Sequence, residues 1–234
     1  MLLVCAVGRN NAIKTPPQAI AQLRRAWSAY LDGQHREPRG AVGRIVGRRM
    51  LRQHAPETAW SLGLLQLRPA DRVLELGFGA GHALAQALAQ AQQGWVTGVD
   101  LSPTMLRVAA RRNRAAIERG RLALARGDIA ALPLAGPRFD KLLSIHTFYF
   151  WPDPQAICAE LIGLLAPGGR LVSTFATARR LPGGAWQVWE IQRTAEALVA
   201  ALDRQPGISA ALLEGPDSRE FNNVAIVMDR IETE

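Results

Sequence analysis

From Arg72 onward the chain alternates short apolar runs with longer amphipathic ones, and this rhythm constrains its fold more than any other feature. The strand-like runs are RVLEL, GWVTGVD, RLALARGD, FDKLLSI and GRLVSTF. Helical patterns fill 81–92, 103–119 and 154–166 between them. Strands separated by helices pair in parallel, because a parallel connection needs a crossover of about a dozen residues or more. Right-handed crossovers then build a doubly wound sheet whose ligands sit at the carboxyl ends of the strands. Ser102 is a good helix cap with Pro103 just inside it. Pro167-Gly168-Gly169 closes one helix and launches the next strand.

The tail breaks the rhythm. A helix is expected over 186–207, ending at Pro206-Gly207, and then two strands, ISAALLEG and FNNVAIVMDR. Their link, PDSRE, is too short for a crossover, so they must pair antiparallel. The expectation is an α/β fold: a doubly wound, seven-stranded, mostly parallel (Rossmann-like) sheet with one antiparallel strand near the edge. Residues 61–234 form this domain, and residues 1–60 an N-terminal helical extension. Two helices are expected ahead of the first strand, TPPQAIAQLRRAWSAYLDG within the extension and PETAWSLGLLQL across its end, the second with Pro56 in its first turn.

The first strand runs into VLELGFGAGHA, residues 73–83. Gly77, Gly79 and Gly81 alternate there, with Glu75 just upstream. Glycine is required where φ is positive or where a ligand touches backbone. The context, after a buried strand and before a helix, is that of a nucleotide loop. A P-loop would need Lys-Ser/Thr after the last glycine, where His82-Ala83 stand. A dinucleotide fingerprint would need a sixth-position glycine, where His82 stands.

This loop resembles the cofactor loop of the class I S-adenosylmethionine-dependent methyltransferases. Four further segments follow in that family's order: VTGVDLSPTML, GDIAALP, FDKLLSIHTFYFWPDP and LAPGGRLV, so that the match covers about residues 60–176. The resemblance implies an S-adenosyl-L-methionine cofactor, leaving as S-adenosylhomocysteine, and these roles. Gly77, Phe78 and Gly79 face the methionine part, with Gly81 in the same loop. Glu75 holds the ammonium group. Asp100 takes the ribose hydroxyls, with Leu101 against the adenine and Met105 counted among the cofactor-binding residues. Asp128 accepts from the adenine amino group, and the Ile129 amide donates to a ring nitrogen. His146 borders the methionine end and the acceptor.

A sulfonium methyl is already electrophilic, so the protein must mainly align the acceptor and exclude water. His146 is the first candidate for a catalytic base, since its ordinary pKa lies near neutrality, and Tyr149 is the second. Phe148, Phe150 and Trp151 could wall an apolar or planar acceptor. Acceptor contacts are also expected from Trp27, Tyr30, Met50, His54 and Trp60 on an N-terminal lid. ATARRLPGGAWQVW offers another wall, made mobile by Gly183-Gly184.

Composition narrows the alternatives. The net charge is +8, carried almost wholly by arginine, since Lys14 and Lys141 are the only lysines. That charge raises an RNA- or DNA-modifying enzyme as an alternative. The fourth-strand motif is SIHTFYFW, however, without the Asn/Asp-Pro-Pro-aromatic signature of base-methylating relatives, so nucleic acid is disfavoured. A non-catalytic S-adenosylmethionine-binding protein is the other alternative. The expected partner is a small, apolar or aromatic methyl acceptor, for a monomer or homodimer. Cys5 and Cys158 stand far apart and form no Cys/His cluster, which fits free thiols in a cytoplasmic protein and no metal site. No run of 18 apolar residues predicts a membrane span, and MLLVCAVG lacks the basic start of a signal peptide.

Overall fold

The computed structural model describes residues 37, 39–40, 55–132, 134, 139–216 and 220–231. Helix α1 (Ala55–Leu65) leads into β1 (Arg72–Leu76). There follow α2 (His82–Gln90), β2 (Trp95–Asp100), α3 (Pro103–Arg112), α4 (Arg114–Glu118), β3 (Leu122–Arg126) and β4 (Phe139–Ile145). A 3₁₀ turn at Phe148–Phe150 precedes α5 (Pro154–Leu164) and β5 (Leu165–Arg180). The chain continues through β6 (Trp186–Val188), α6 (Ile191–Leu202), β7 (Ile208–Glu214) and β8 (Phe221–Arg230).

The strands lie in the order β3-β2-β1-β4-β5-β8-β7. All pairs from β3 to β5 are parallel, whereas β8 pairs antiparallel with both β5 and β7. The seven expected strands make up this path, and β8 is the antiparallel strand beside the edge. An eighth strand, β6, pairs with β5 off the path. The chain goes from β1 outward to β3 and then crosses to β4 on the other side of β1. That reversal is the topological switch point, where an open α/β sheet binds ligands.

Alternating residues of the buried strands feed two apolar layers. Leu74, Leu142, Leu171 and Phe175 pack with Ile157 and Leu161 of α5 and Leu198 of α6. Val73, Leu143, Val172 and Ala225 pack with Leu62 and Leu65 of α1 and Leu84 of α2. Period-two alternation places Glu75 on the α1/α2 face, two residues after Val73. Asp71 and Lys141 lie at the opposite, amino-terminal edge. A cleft of about 500 Å³ there is lined by Arg68, Asp71, Asp140, Lys141, Pro167 and Gly168 among others. The bidentate Arg72–Asp140 pair closes its flank. It lies away from the switch point.

Several boundaries differ from the sequence reading. The helix expected over 103–119 breaks at Asn113, whose φ of −108° and ψ of 23° leave the helical region. Its side-chain amide donates to Ala109 O and to Gly81 O, so the break fastens the helix to the glycine loop. The helix expected from 186 begins at Ile191. Trp186–Val188 instead pair with Ala178–Arg180, because β5 runs five residues past the expected GRLVSTF. The insertion expected to be a mobile wall is thus a β-hairpin, closed by Leu181 N donating to Ala185 O at 2.8 Å. Gly183 and Gly184 take its positive-φ positions. Among the described residues, no helix is long and apolar enough to cross a membrane, and no group of His, Cys, Asp and Glu could hold a metal. Cys158 is buried, and burial pushes its thiol up to about 12; Cys5 lies outside the described residues.

Candidate active site

The β1–α2 turn is built from positive-φ glycines: Gly77 at 69° and Gly79 at 52°. A Cβ on Gly77 would sit 2.3 Å from Thr147 Cγ2, so this glycine is also needed for packing against the β4 loop. A Cβ on Gly79 would meet none of the described residues within 4 Å. Gly79 therefore presents bare backbone to open space at the switch point. Gly81 packs tightly, with Ala109 Cβ and the Asn113 amide each 2.8 Å from where its Cβ would be. The Phe78 side chain points inward and is buried against Gly98 of β2. Only the backbone of Phe78 is left to face a ligand.

Two carboxylates stand beneath this loop. Asp100, at the end of β2, accepts from Gly79 N through Oδ2 and from Ser102 N through Oδ1, each at 2.8 Å. Ser102 Oγ caps α3 by accepting from Met105 N, so Asp100 is spared that task. Each Asp100 oxygen retains a lone pair, which suits a diol. Glu75 is 4% exposed, and its Oε2 has no hydrogen-bond donor among the described residues. Burial, helped by the nearby Asp100 charge, pushes the Glu75 carboxyl well above its ordinary range. Burial likewise raises Asp100. A buried acid with a free oxygen fits a donor-only cation, such as the α-ammonium of an amino acid.

The other residues expected at the cofactor are spread along the same edge. Leu101 is half-buried and its carbonyl accepts from Arg126 Nε. Met105 is buried in α3. Asp128 forms a turn, with Oδ1 accepting from Ala130 N and its carbonyl from Ala131 N, each at 3.0 Å. Ile129 packs against the α5/α6 layer. Glu37 reaches this edge from the N-terminal segment, 3.9 Å from Arg126, and Gly40 N donates to Thr104 Oγ1. The rest of the expected lid, with Trp27, Tyr30, Met50 and His54, lies outside the described residues. Trp60 packs against Gly215, where a Cβ would come within 2.6 Å of its ring.

At the end of β4, His146 adopts a φ of 56°, held by its N–H donating to Thr174 O at 2.7 Å. A non-glycine residue in this region carries strain and is often functional. Its ring lies parallel to Tyr149, with Nδ1 3.3 Å from the Tyr149 hydroxyl. That hydroxyl accepts from Ala176 N at 2.5 Å. An amide can only donate, so the phenol proton is free to point at His146 Nδ1. The neutral imidazole then carries its own proton on Nε2. Phe148 is buried and stacks on Phe175, and Trp151 is buried and packs tilted against Phe148, so they belong to the core and not to an open wall.

The geometry now meets known proteins. A family described as "Methyltransferase domain" matches residues 73–169. The chain is 32% identical over 176 residues to a ubiquinone biosynthesis O-methyltransferase of Xylella fastidiosa, covering 68% of this chain and 69% of that protein. The chain belongs to the class I S-adenosylmethionine-dependent methyltransferases. It is also 29% identical over 130 residues to an uncharacterized methyltransferase of Bacillus subtilis, covering 56% of this chain and 70% of that one. A methyltransferase from Aquifex aeolicus shares the fold, at a TM-score of 0.58 and 18% identity, over 93% of this chain and 100% of the other. It is thus an enzyme of this family, with S-adenosyl-L-methionine as its cofactor.

Proposed function

We propose that this methyltransferase alkylates a small, apolar or aromatic molecule by direct in-line transfer. The observation that carries the reading is the buried pair Glu75 and Asp100 flanking the open backbone of Gly79 at the switch point. In this reading Glu75 holds the amino group, Asp100 the ribose hydroxyls, and Asp128 and Ile129 the adenine edge. When bound, the cofactor supplies the methyl group as an electrophile. The chain's part is to hold the acceptor in line and keep water out.

His146 and Tyr149 border that space. With Tyr149 donating to Nδ1, His146 offers an Nε2–H donor, which orients an acceptor oxygen or nitrogen. For His146 to serve as a base through Nε2, its proton must sit on Nδ1 and be donated to the Tyr149 oxygen, with the phenol proton turned away. Burial raises the Tyr149 pKa, so the phenol keeps its proton and stays able to donate to Nδ1. His146 is therefore assigned first to orienting the acceptor and second to taking its proton. The small-molecule relative from Xylella supports the acceptor class.

The test is methyl incorporation from labelled cofactor into an acceptor panel. Activity lost in Asp100→Ala and reduced at least tenfold in His146→Ala is the expected result. Full turnover by His146→Ala with an identified acceptor removes both of its roles.

A further inference from the structure

The first turn of α1 carries a buried acid that none of the proposed cofactor contacts uses. Glu57 is 2% exposed, and Asn223, near the start of β8, is fully buried. Asn223 Nδ2 donates to Glu57 Oε1 at 3.2 Å. This leaves Glu57 Oε2 and Asn223 Oδ1 as buried oxygens with no donor among the described residues. With Glu57 ionised both are acceptors, so neither then satisfies the other. The Ser61 hydroxyl, one turn along α1, is already engaged: Ser61 Oγ contacts the Glu57 carbonyl at 2.6 Å and Thr174 Oγ1 at 2.7 Å. Buried polar atoms left in this state cost stability, and each one asks for an explanation.

Their position supplies one. Helix α1 descends toward the start of β1, so its first turn lies at the carboxyl end of the sheet. Asn223 pairs across β5 with Ala176, whose N–H holds the Tyr149 hydroxyl. The Glu57 charge is close enough to oppose ionisation of Tyr149. Burial pushes the Glu57 carboxyl up.

We infer that Glu57 and Asn223 form the polar end of the methyl-acceptor pocket and receive a protonated amino group of the acceptor, whose apolar body lies against His146 and Tyr149. The inference rests on the acceptor site proposed above. Chemistry selects the amine. An ammonium brings three donors and no acceptor, enough to engage both orphan oxygens, and its charge compensates the buried carboxylate. A hydroxyl brings one donor and no charge.

The experiment uses the full chain saturated with S-adenosylhomocysteine. Benzylamine, tyramine and hexylamine are titrated by calorimetry, each against its uncharged alcohol analogue. The amines are expected to bind at least tenfold more tightly than the alcohols. Glu57→Gln should shrink that preference to threefold or less, while the melting shift caused by S-adenosylhomocysteine stays unchanged. Asn223→Ser carries the same comparison should Glu57→Gln not fold. Equal binding of amines and alcohols, binding by neither, or a preference that survives both substitutions overturns the inference. A parent protein with no response to S-adenosylhomocysteine removes the site reading itself, and this inference with it.

Discussion

A carboxylate enclosed in protein without a partner is expensive, and it lowers that cost by keeping its proton. Glu75 is such a group, and its raised pKa has a definite sign. Where the folded state holds a proton that the unfolded state has released, stability falls as pH rises. The window opens at the unfolded carboxyl range, about pH 4, and closes at the raised folded value. Across it, Glu75 alone steepens the loss by up to about 1.4 kcal/mol per pH unit. Glu75→Gln is therefore expected to be more stable than the parent at neutral pH and to show a flatter stability–pH curve in denaturant titrations. The same substitution should weaken S-adenosylmethionine binding at least tenfold, since an amide brings no charge to an ammonium. Binding should also release a proton as Glu75 ionises against the cation. Calorimetry in buffers of different ionisation enthalpy reads that release, and its absence in the parent would count against Glu75 as the ammonium holder.

Between the glycine loop and α3 the decisive contact is Asn113. One side chain ends α3, binds Ala109 O and reaches Gly81 O, so the loop is tied to the helix behind it. Asn113→Ala leaves those carbonyls without that donor and should cost about 1–3 kcal/mol. It should also loosen the loop, seen as faster amide exchange at Gly79 and Gly81. Gly77→Ala should be worse, because it adds a methyl 2.3 Å from Thr147 Cγ2 at a φ of 69°. A circular dichroism melt of Gly77→Ala equal to that of the parent would refute this. Neither the Asn113 tie nor the Glu57–Asn223 pair was legible in the sequence, for a shared reason. Each joins residues far apart in the chain, and no periodicity marks a polar side chain aimed at a distant carbonyl. What was legible was local: the Ser102 cap, the Pro154 start of α5, and the glycines at positive φ. The reading failed at 186–188, where pairing with the long β5 overrode a helical pattern.

For the molecule as a whole, a parallel sheet buried on both faces supplies a rigid platform, and the switch point collects the ligands along one edge. The alternation of strands and helices told this much in advance, because topology follows from connection length. The proposed acceptor side was less visible, since the residues assigned to its polar end come from α1 and β8, which meet only after folding. A ligand that bridges Glu75, Asp100 and Asp128 in this way would span the loops after β1, β2 and β3, and so stabilise the sheet globally. At a hundredfold excess over its dissociation constant, a cofactor adds about 2.7 kcal/mol to stability. For a chain of 234 residues that corresponds to a rise of roughly 5–10 °C in melting temperature. S-adenosylhomocysteine should produce this rise in the parent, and Asp100→Ala should abolish it. The variant keeps Ser102 capping α3, so its own melt without ligand should remain cooperative. A parent that melts at the same temperature with and without saturating cofactor would place the ligand elsewhere than across these three strand ends.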